Sequence, residues 1–221
     1  MDKIISCYST RALLKYAKSK GMDITDLLVK VDEIAYVLLE SEHWTTLEVW
    51  TQIITFISKR LNKSIFDIGY ELVKKEKDLD YRLGLIVLIP FPIIKKINLL
   101  NSIVQKKVNR NLTAKIISFD EIKHEMCLWV APLNMEEHRK GICEYNKGVC
   151  KALMELKGYI GIQIEELECC FNGKPHCSLR VIWEGRNKLF EKQVFDKLMR
   201  KLKSFKIDTI FGNIKSFLMG V

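Results

Sequence analysis

The sequence predicts an α+β fold, with a helical N-terminal module, an antiparallel sheet of about four strands packed on helices, and a C-terminal helix. Three observations predict it. Apolar residues recur at helical spacing through about the first eighty positions. Two runs of β-type composition, each broken by a turn signal, follow further along the chain. The C-terminal stretch then returns to helical spacing.

Length and composition fit a soluble protein with more than one structural unit. The 221 residues exceed the usual domain size of roughly 100 to 150. Hydrophobic residues make up 48% and charged residues 29% of the chain, which is typical of a globular protein and not of a disordered one. We expect a helical N-terminal module over 1–78, a central domain over 79–185 and an amphipathic transmitter or docking helix over 186–221.

The N-terminal module is predicted from helix start and stop signals. Thr10 can cap a helix that ends at Gly21. Thr45 followed by Glu48 forms a capping-box pattern that opens the next helix. That helix carries an apolar stripe: Leu47, Trp50, Ile54 and Ile57. We expect this module to be all-helical.

The central domain begins with a helix and a hairpin. Pro92 suits the first turn of a helix, and an apolar stripe follows it: Ile93, Ile97, Leu100 and Val104. The segments 112–119 and 122–130 have β-type composition on either side of Asp120 and Glu121. They predict a β-hairpin.

A further helix and hairpin complete the domain. Asn134 with Glu137 predicts a helix start, and Gly158 predicts its end. The segments 159–170 and 176–183 flank Asn172-Gly173, which is a strong turn dipeptide and predicts a second hairpin. Asn187 can then cap a last helix, whose apolar stripe is Phe190, Val194, Leu198, Leu202 and Phe205.

Several classes of protein are disfavoured by composition. The longest apolar stretch, 83–94, is shorter than the roughly 20 residues of a membrane span, and the N-terminus lacks a secretory signal. We therefore expect a cytoplasmic protein with no membrane partner. The seven cysteines, an odd number in a reducing compartment, argue against a disulfide framework. The cysteines are therefore expected either to bind a metal or to be buried as free thiols.

The net charge of +9 is concentrated near the C-terminus. Between Arg186 and Lys206 there are eight Lys and Arg against Glu191 and Asp196, which gives a local charge of +6. No nucleic-acid recognition motif accompanies this charge, so it favours a solvated helix face or an acidic partner over nucleic-acid binding.

One cluster of residues suggests metal chemistry. Cys169 and Cys177 lie on the two arms of the second hairpin, and Glu166 precedes them. Cys143, on the preceding helix, would face the sheet. Three sulfurs and one carboxylate can hold zinc tetrahedrally in a closed structural site. Glu166 and Cys169 would point to opposite faces of a regular strand, so this requires a β-bulge or irregular turn between them. Ordinary buried thiols beside a solvated glutamate are the alternative.

The pattern Glu-x-x-Cys-x-x-x-Gly-x-x-x-Cys, from Glu166 to Cys177, resembles the signature of the 4-vinyl reductase domain family. That family occurs in bacteriochlorophyll biosynthesis and in the sensor halves of phenol- and toluene-responsive transcription activators. The resemblance extends over about 75–183. It implies a structural zinc site completed by Cys143, and a cytoplasmic signalling domain that senses a hydrophobic or aromatic small molecule. The apolar stripe of the C-terminal helix suits a dimer seam or a docking face, so we expect a homodimer or an effector protein or domain as the partner.

The ligand sets are left partly open. Cys150, Cys170 or His176 could replace one of the four predicted zinc ligands. Four aromatic residues are candidates to line the ligand cavity, with simple core packing as the alternative: Trp129, Phe119, Phe91 and Phe171.

Other functions receive less support from the sequence. The 4-vinyl reductase family resembles haem nitric-oxide sensors in fold, but the haem signature Tyr-x-Ser-x-Arg is missing. The four histidines of this chain are therefore interpreted as surface or packing residues and not as haem ligands: His43, His124, His138 and His176. No nicotinamide-binding motif, P-loop or nucleophile-base pair is evident, so a reductase-type enzyme is disfavoured and we expect no enzyme activity. A scaffold without a ligand remains the alternative to a sensor.

Overall fold

A computed structural model describes residues 2–31, 35–39, 42–75, 108–135 and 139–187, with isolated positions at 105, 189 and 193. Within these ranges the predicted α+β fold is confirmed: helices pack on an antiparallel sheet of four strands. The predicted helix from Pro92, the candidate ligand residue Phe91 and nearly all of the predicted C-terminal helix lie outside the described residues.

The helices are α1 (Cys7–Ser19), α2 (Thr25–Lys30), α3 (Ala35–Leu39), α4 (Leu47–Leu61), α5 (Ile65–Lys75) and α6 (Lys140–Leu156). The strands are β1 (Lys3–Ser6), β2 (Trp44–Thr46), β3 (Leu112–Asp120), β4 (Glu125–Pro132), β5 (Tyr159–Ile160), β6 (Gln163–Glu168), β7 (Cys177–Ile182) and β8 (Gly185–Arg186). None of the helices in the described ranges combines the length and the apolar character needed to cross a membrane.

The N-terminal helices begin at different residues from those predicted. Ser6, not Thr10, caps α1, and its side chain accepts a hydrogen bond from the Tyr8 amide. Thr10 is fully buried inside α1, where its hydroxyl donates to the carbonyls of Cys7 and Leu38. A threonine that anchors a neighbouring helix has the same sequence signature as a cap.

The predicted cap of α4 is displaced by one residue. Thr46 caps the helix and accepts from the Val49 amide, whereas Thr45 belongs to β2. The module is therefore not all-helical, because β1 pairs antiparallel with β2. β1 also bonds to the segment before β3, through Ser6 N to Val108 O at 2.8 Å. This short pairing joins the helical module to the chain that enters the sheet.

The sheet has the order β3-β4-β7-β6, with every neighbouring pair antiparallel. Both predicted hairpins, β3–β4 and β6–β7, are confirmed. Asp120 stabilises the first turn, because its side chain accepts from the amides of Ile122 and Lys123. The predicted irregularity in β6 is confirmed as well, since the register shifts between Glu166 and Glu168.

One face of the sheet packs into a second core. Alternate residues of β4 and β7 are buried, and Val181 is fully buried opposite Met126. Trp183 is stacked on Phe119 at 5.5 Å and meets Tyr159 edge-on at 5.1 Å. The larger core lies in the helical module, around α1 and α4.

Helix α6 begins later than predicted. Its N-cap is Arg139. Asn134 instead exchanges two hydrogen bonds with the side chain of Asn111: the Asn134 amide donates to Asn111 Oδ1 at 2.6 Å, and the Asn134 carbonyl accepts from Asn111 Nδ2 at 2.8 Å. Gly158, in the left-handed region with φ 84°, ends the helix as predicted.

Helices α5 and α6 approach each other at two glycines. A Cβ at Gly148 would lie 2.0 Å from the Phe66 carbonyl oxygen, and one at Gly69 would lie 2.5 Å from the Tyr145 carbonyl oxygen. Neither position could hold a larger residue without moving the helices apart. At the far end of the contact, Tyr70 donates to Glu155 at 2.6 Å, and Lys74 pairs with the same carboxylate.

A second polar contact holds α1 against α5. Glu71 accepts from the Tyr16 hydroxyl at 3.0 Å and pairs with Lys20 and Lys63. Burial opposes ionisation of this carboxylate, but the hydrogen bonds from Lys63, Lys20 and Tyr16 outweigh it and lower the pKa of Glu71 to about 2.

We predict that Gly148→Ala destabilises the protein by about 1–3 kcal/mol, because the added methyl group meets the backbone of α5. Gly141→Ala is the matched control on the same helix. Its Cβ would touch only the Ile65 side-chain end at 3.3 Å, and it shares the gain in helix propensity. Urea unfolding measures both variants. Equal stability of the two would contradict the close approach.

We predict that Glu71→Gln lowers the free energy of unfolding at neutral pH by about 1–2 kcal/mol. The folded-state pKa of Glu71, about 2, lies below its ordinary value of 4.5. Its contribution is therefore complete above pH 4.5 and is lost as the pH falls from 4.5 towards 2. Unfolding measured across this window should show a smaller difference between variant and wild type at the acid end. Glu48→Gln, at an exposed carboxylate 3.7 Å from Arg139, is the control.

Candidate functional site: a centre of four thiols

Four cysteines converge where α6 meets the β6–β7 hairpin. Cys143 lies in the first turns of α6, Cys169 follows β6, Cys170 opens a short 3-10 turn, and Cys177 is the first residue of β7. Their sulfur atoms all lie within 4.8 Å of one another. We call these four residues the thiol centre.

Cys177 is the hub of the thiol centre. Its sulfur lies 3.4 Å from Cys170 Sγ, 3.6 Å from Cys143 Sγ and 3.7 Å from Cys169 Sγ. The Cys170 amide also points at it, at 3.5 Å. The 3-10 turn places the Cys170 amide and the Cys169 and Cys170 thiols near Cys177, because it folds the chain between Cys169 and Gly173 back over the start of β7.

The thiol centre is buried, and its members differ in acidity. The pKa of Cys177 is lowered to about 5, because the Cys143 thiol and then the Cys170 amide and thiol donate to its sulfur, against the effect of burial. The hydrogen bond to Cys177 raises the pKa of Cys143. Burial raises that of Cys170 to about 12 and also raises that of Cys169. Cys177 is therefore a stronger acid than the other three cysteines of the thiol centre.

Glu166, the fourth predicted ligand, is placed differently. Its side chain accepts from Lys147 Nζ on α6 at 3.1 Å, and it is not part of the group of mutually close ligand atoms. Cys170 occupies the fourth position in the group. The sequence could not distinguish the two, because which neighbour turns inwards depends on the bulge and the 3-10 turn.

A small cavity adjoins the thiol centre. It is about 10 Å³ in volume and is lined by Val130, Cys143, Asn146, Cys177 and Leu179. Asn146 lies one helical turn after Cys143, and its buried Nδ2 has no hydrogen-bond partner among the described residues. Sequence reasoning did not identify Asn146. Its spacing of three from Cys143 on a helix was the available signal.

The predicted aromatic ligand residues do not converge. Phe119 is stacked on Trp183 in the core of the inner sheet face. Trp129 lies on the opposite face, where its ring is 5.3 Å from that of His176. Phe171 is 40% exposed in the 3-10 turn. Cys150, an alternative metal ligand, packs beside the second core instead.

No family model matches the chain, and none of the curated proteins matches it. Solved structures do. An H-NOX protein from S. oneidensis in the Fe(II)NO state is 16% identical, with a TM-score of 0.60 over 82% of this chain and 100% of that one. An oxygen-binding H-NOX domain related to soluble guanylate cyclases, in its oxygen complex, is 13% identical, with a TM-score of 0.54 over 80% and 93%. A structure addressing heme distortion in the H-NOX family is 13% identical, with a TM-score of 0.57 over 83% and 97%.

The chain therefore has the fold of these H-NOX domains, and two expectations from the sequence are corrected. The resemblance to the 4-vinyl reductase family is wrong, since the structural neighbours are H-NOX domains. The motif from Glu166 to Cys177 specifies a hairpin turn with thiols on both arms, which is a local feature. The structural zinc is corrected with it, because these neighbours are described with Fe(II) and heme.

The three histidines that the structure describes are not placed to hold a histidine-ligated haem, the group with which the structural neighbours are described. His43 is exposed. His124 is stacked on Trp183 at a turn, and His176 lies between Trp129 and Glu168. The sequence has no histidine between positions 43 and 124, and its fourth histidine, His138, lies outside the described residues.

We predict that hemin added to the purified protein gives only the broad absorption of loosely bound hemin. The reason is that the three described histidines are exposed or engaged at the surface. A variant with His43, His124 and His176 all replaced by alanine should give the same spectrum. Titration followed by absorbance checks this, and a sharp Soret band that saturates at one hemin per chain would contradict it.

Proposed function

We propose that the chain is a small-molecule sensor domain whose input is oxidation of the thiol centre, with a partner protein or domain reading the output. The observation that carries this proposal is the burial of four sulfurs within 4.8 Å of one another, contributed by both a helix and the sheet. The fold supports the sensor class, since one structural neighbour is an oxygen-binding domain related to guanylate cyclases. The input chemistry proposed here comes from this chain's own residues.

The chemistry is a two-electron oxidation of two thiols to a disulfide. With a hydroperoxide as oxidant, the thiols lose two electrons and two protons, and the peroxide becomes water and an alcohol, or two waters from hydrogen peroxide. Cys177 is the common partner, because each of the other three sulfurs lies within 3.7 Å of it. A dithiol reductant reverses the reaction. The chain changes state and turns over no substrate, in line with the expectation of a protein without enzyme activity.

Disulfide formation would change the packing between helix and sheet. A disulfide requires about 2.05 Å between sulfurs, so each possible pair must move closer by more than 1 Å. The Cys143–Cys177 pair joins α6 to β7 directly. A disulfide between Cys177 and either Cys169 or Cys170 would instead remove the hydrogen bonds that these thiols make beside α6. Each outcome alters the support of α6 at its N-terminal end.

Helix α6 provides a route from the thiol centre to the helical module. Its backbone meets α5 at Gly69 and Gly148, where the contact leaves no space to absorb a shift. The Tyr145 ring lies edge-on to Trp50 of α4 at 5.3 Å. A displacement of α6 must therefore move α5 or the core beneath Trp50. We place the effector contact, or the contact of a homodimer, on this helical module.

We predict that hydrogen peroxide at low stoichiometric excess converts Cys177 to a disulfide under native conditions. Peptide mapping by mass spectrometry should locate the bond and show a loss of about two daltons per disulfide. Hydrogen exchange in α5 and α6 should change on oxidation and return after reduction. Cys177→Ser should abolish both effects, because it removes the hub.

Cys127→Ser is the matched control. Cys127 lies on the outer sheet face, outside the thiol centre, and its replacement should leave the reaction intact. Two results would overturn the proposal. One is a set of four thiols that resists every oxidant while the protein remains folded. The other is a metal ion already bound to all four sulfurs in the protein as purified. Oxidation without any change in α5 and α6 would instead favour a scaffold.

A further inference from the structure

The cavity beside the thiol centre contains an unexplained polar atom. The buried Nδ2 of Asn146 has no partner among the described residues, and leaving a buried donor without a hydrogen bond is unfavourable. Asn146 shares the cavity wall with Cys143 and Cys177, and Val130 and Leu179 form its apolar part. Asn146 therefore lines the same cavity as two of the sulfurs that the proposed function requires.

The size of the cavity restricts what can enter. A volume of about 10 Å³ is close to the minimum that holds one water-sized group. An apolar gas would leave the amide unsatisfied, whereas an oxygen with lone pairs would accept its hydrogen bond. The wall thus combines one donor, one nucleophilic sulfur and space for an oxygen-sized group.

We infer that this cavity is the docking site for the oxidant, and that it selects hydrogen peroxide over bulkier hydroperoxides. This inference rests on the proposed function and identifies its ligand class. The cavity has room for one of the two peroxide oxygens, which accepts a hydrogen bond from Asn146 Nδ2, while Cys177, on the same wall, attacks the other oxygen. Asn146 is a binding residue that orients the O–O bond for attack and stabilises the departing hydroxide.

The reaction balances in two steps. The Cys177 sulfur, its proton passed to solvent, attacks the nearer oxygen, so that an S–O bond forms, the O–O bond breaks and the departing hydroxide takes up a proton as water. A neighbouring thiol then attacks the resulting sulfenic acid. An S–S bond forms, the S–O bond breaks, and hydroxide leaves as a second water with that thiol's proton. Two sulfurs are oxidised and one peroxide is reduced to two waters.

The test compares oxidation rates of the full chain with hydrogen peroxide, cumene hydroperoxide and diamide, followed by loss of free thiols. Wild type should discriminate strongly between the two peroxides. Asn146→Ala removes the donor and widens the cavity, so it should react about tenfold more slowly with hydrogen peroxide and discriminate less. Asn146→Leu keeps the volume without the donor, and it should be slow with both peroxides yet at least as stable as wild type.

Thr51→Val is the matched control, since Thr51 Oγ1 is another buried polar atom without a partner among the described residues and does not line the cavity. Its rates should equal those of wild type. Unchanged rates and unchanged peroxide discrimination in both Asn146 variants, with disulfides still forming, would overturn the inference and leave the proposed function standing. Failure of disulfides to form with any of the three oxidants would overturn the proposed function itself.

Discussion

The arrangement of the molecule depends on the close approach of α5 and α6 at Gly69 and Gly148. A side chain at either position would contact backbone atoms of the partner helix at 2.5 Å or less, so only glycine allows this separation. The approach presses the ring of Tyr145 against Trp50 and brings Glu155 to Lys74. It also fixes where the start of α6 lies over the sheet, and therefore where Cys143 meets the hairpin.

In the thiol centre, burial and hydrogen bonding have opposite effects on the ionisation of the cysteines. Burial disfavours every thiolate, yet the amide and the three thiols around Cys177 favour ionisation at that one sulfur. The neighbours become weaker acids because they donate to it or are buried beside it. Disulfide chemistry needs one reactive sulfur beside protonated thiols. The reactive sulfur attacks the oxidant, and a neighbouring thiol then displaces the oxidised product to form the disulfide.

The sequence predicted the parts of this structure that depend on local periodicity. The turn at Asn172-Gly173, the helix end at Gly158 and the irregularity after Glu166 all follow from residue type and spacing. It failed where tertiary contacts decide between neighbours. Thr10 anchors Leu38 instead of capping a helix. Cys170, which the sequence left open as an alternative, joins the other three cysteines, whereas Glu166 accepts from Lys147. Such choices depend on groups distant in sequence, which a local pattern does not encode.

The likeness to H-NOX domains concerns the fold, whereas the chemistry of a fold is set by the side chains placed on it. In the described part of this chain, His43 is exposed and His124 and His176 lie against tryptophan rings, whereas the four thiols lie at the contact between α6 and β7. A ligand acting there needs no large cavity, because a change of about an ångström between sulfurs is sufficient to disturb a rigid helix contact. In the proposed sensor, the glycines that fix α6 against α5 would carry this disturbance to the helical module. In a sensor of this kind, tight packing is what converts a small change between sulfurs into a movement of neighbouring helices.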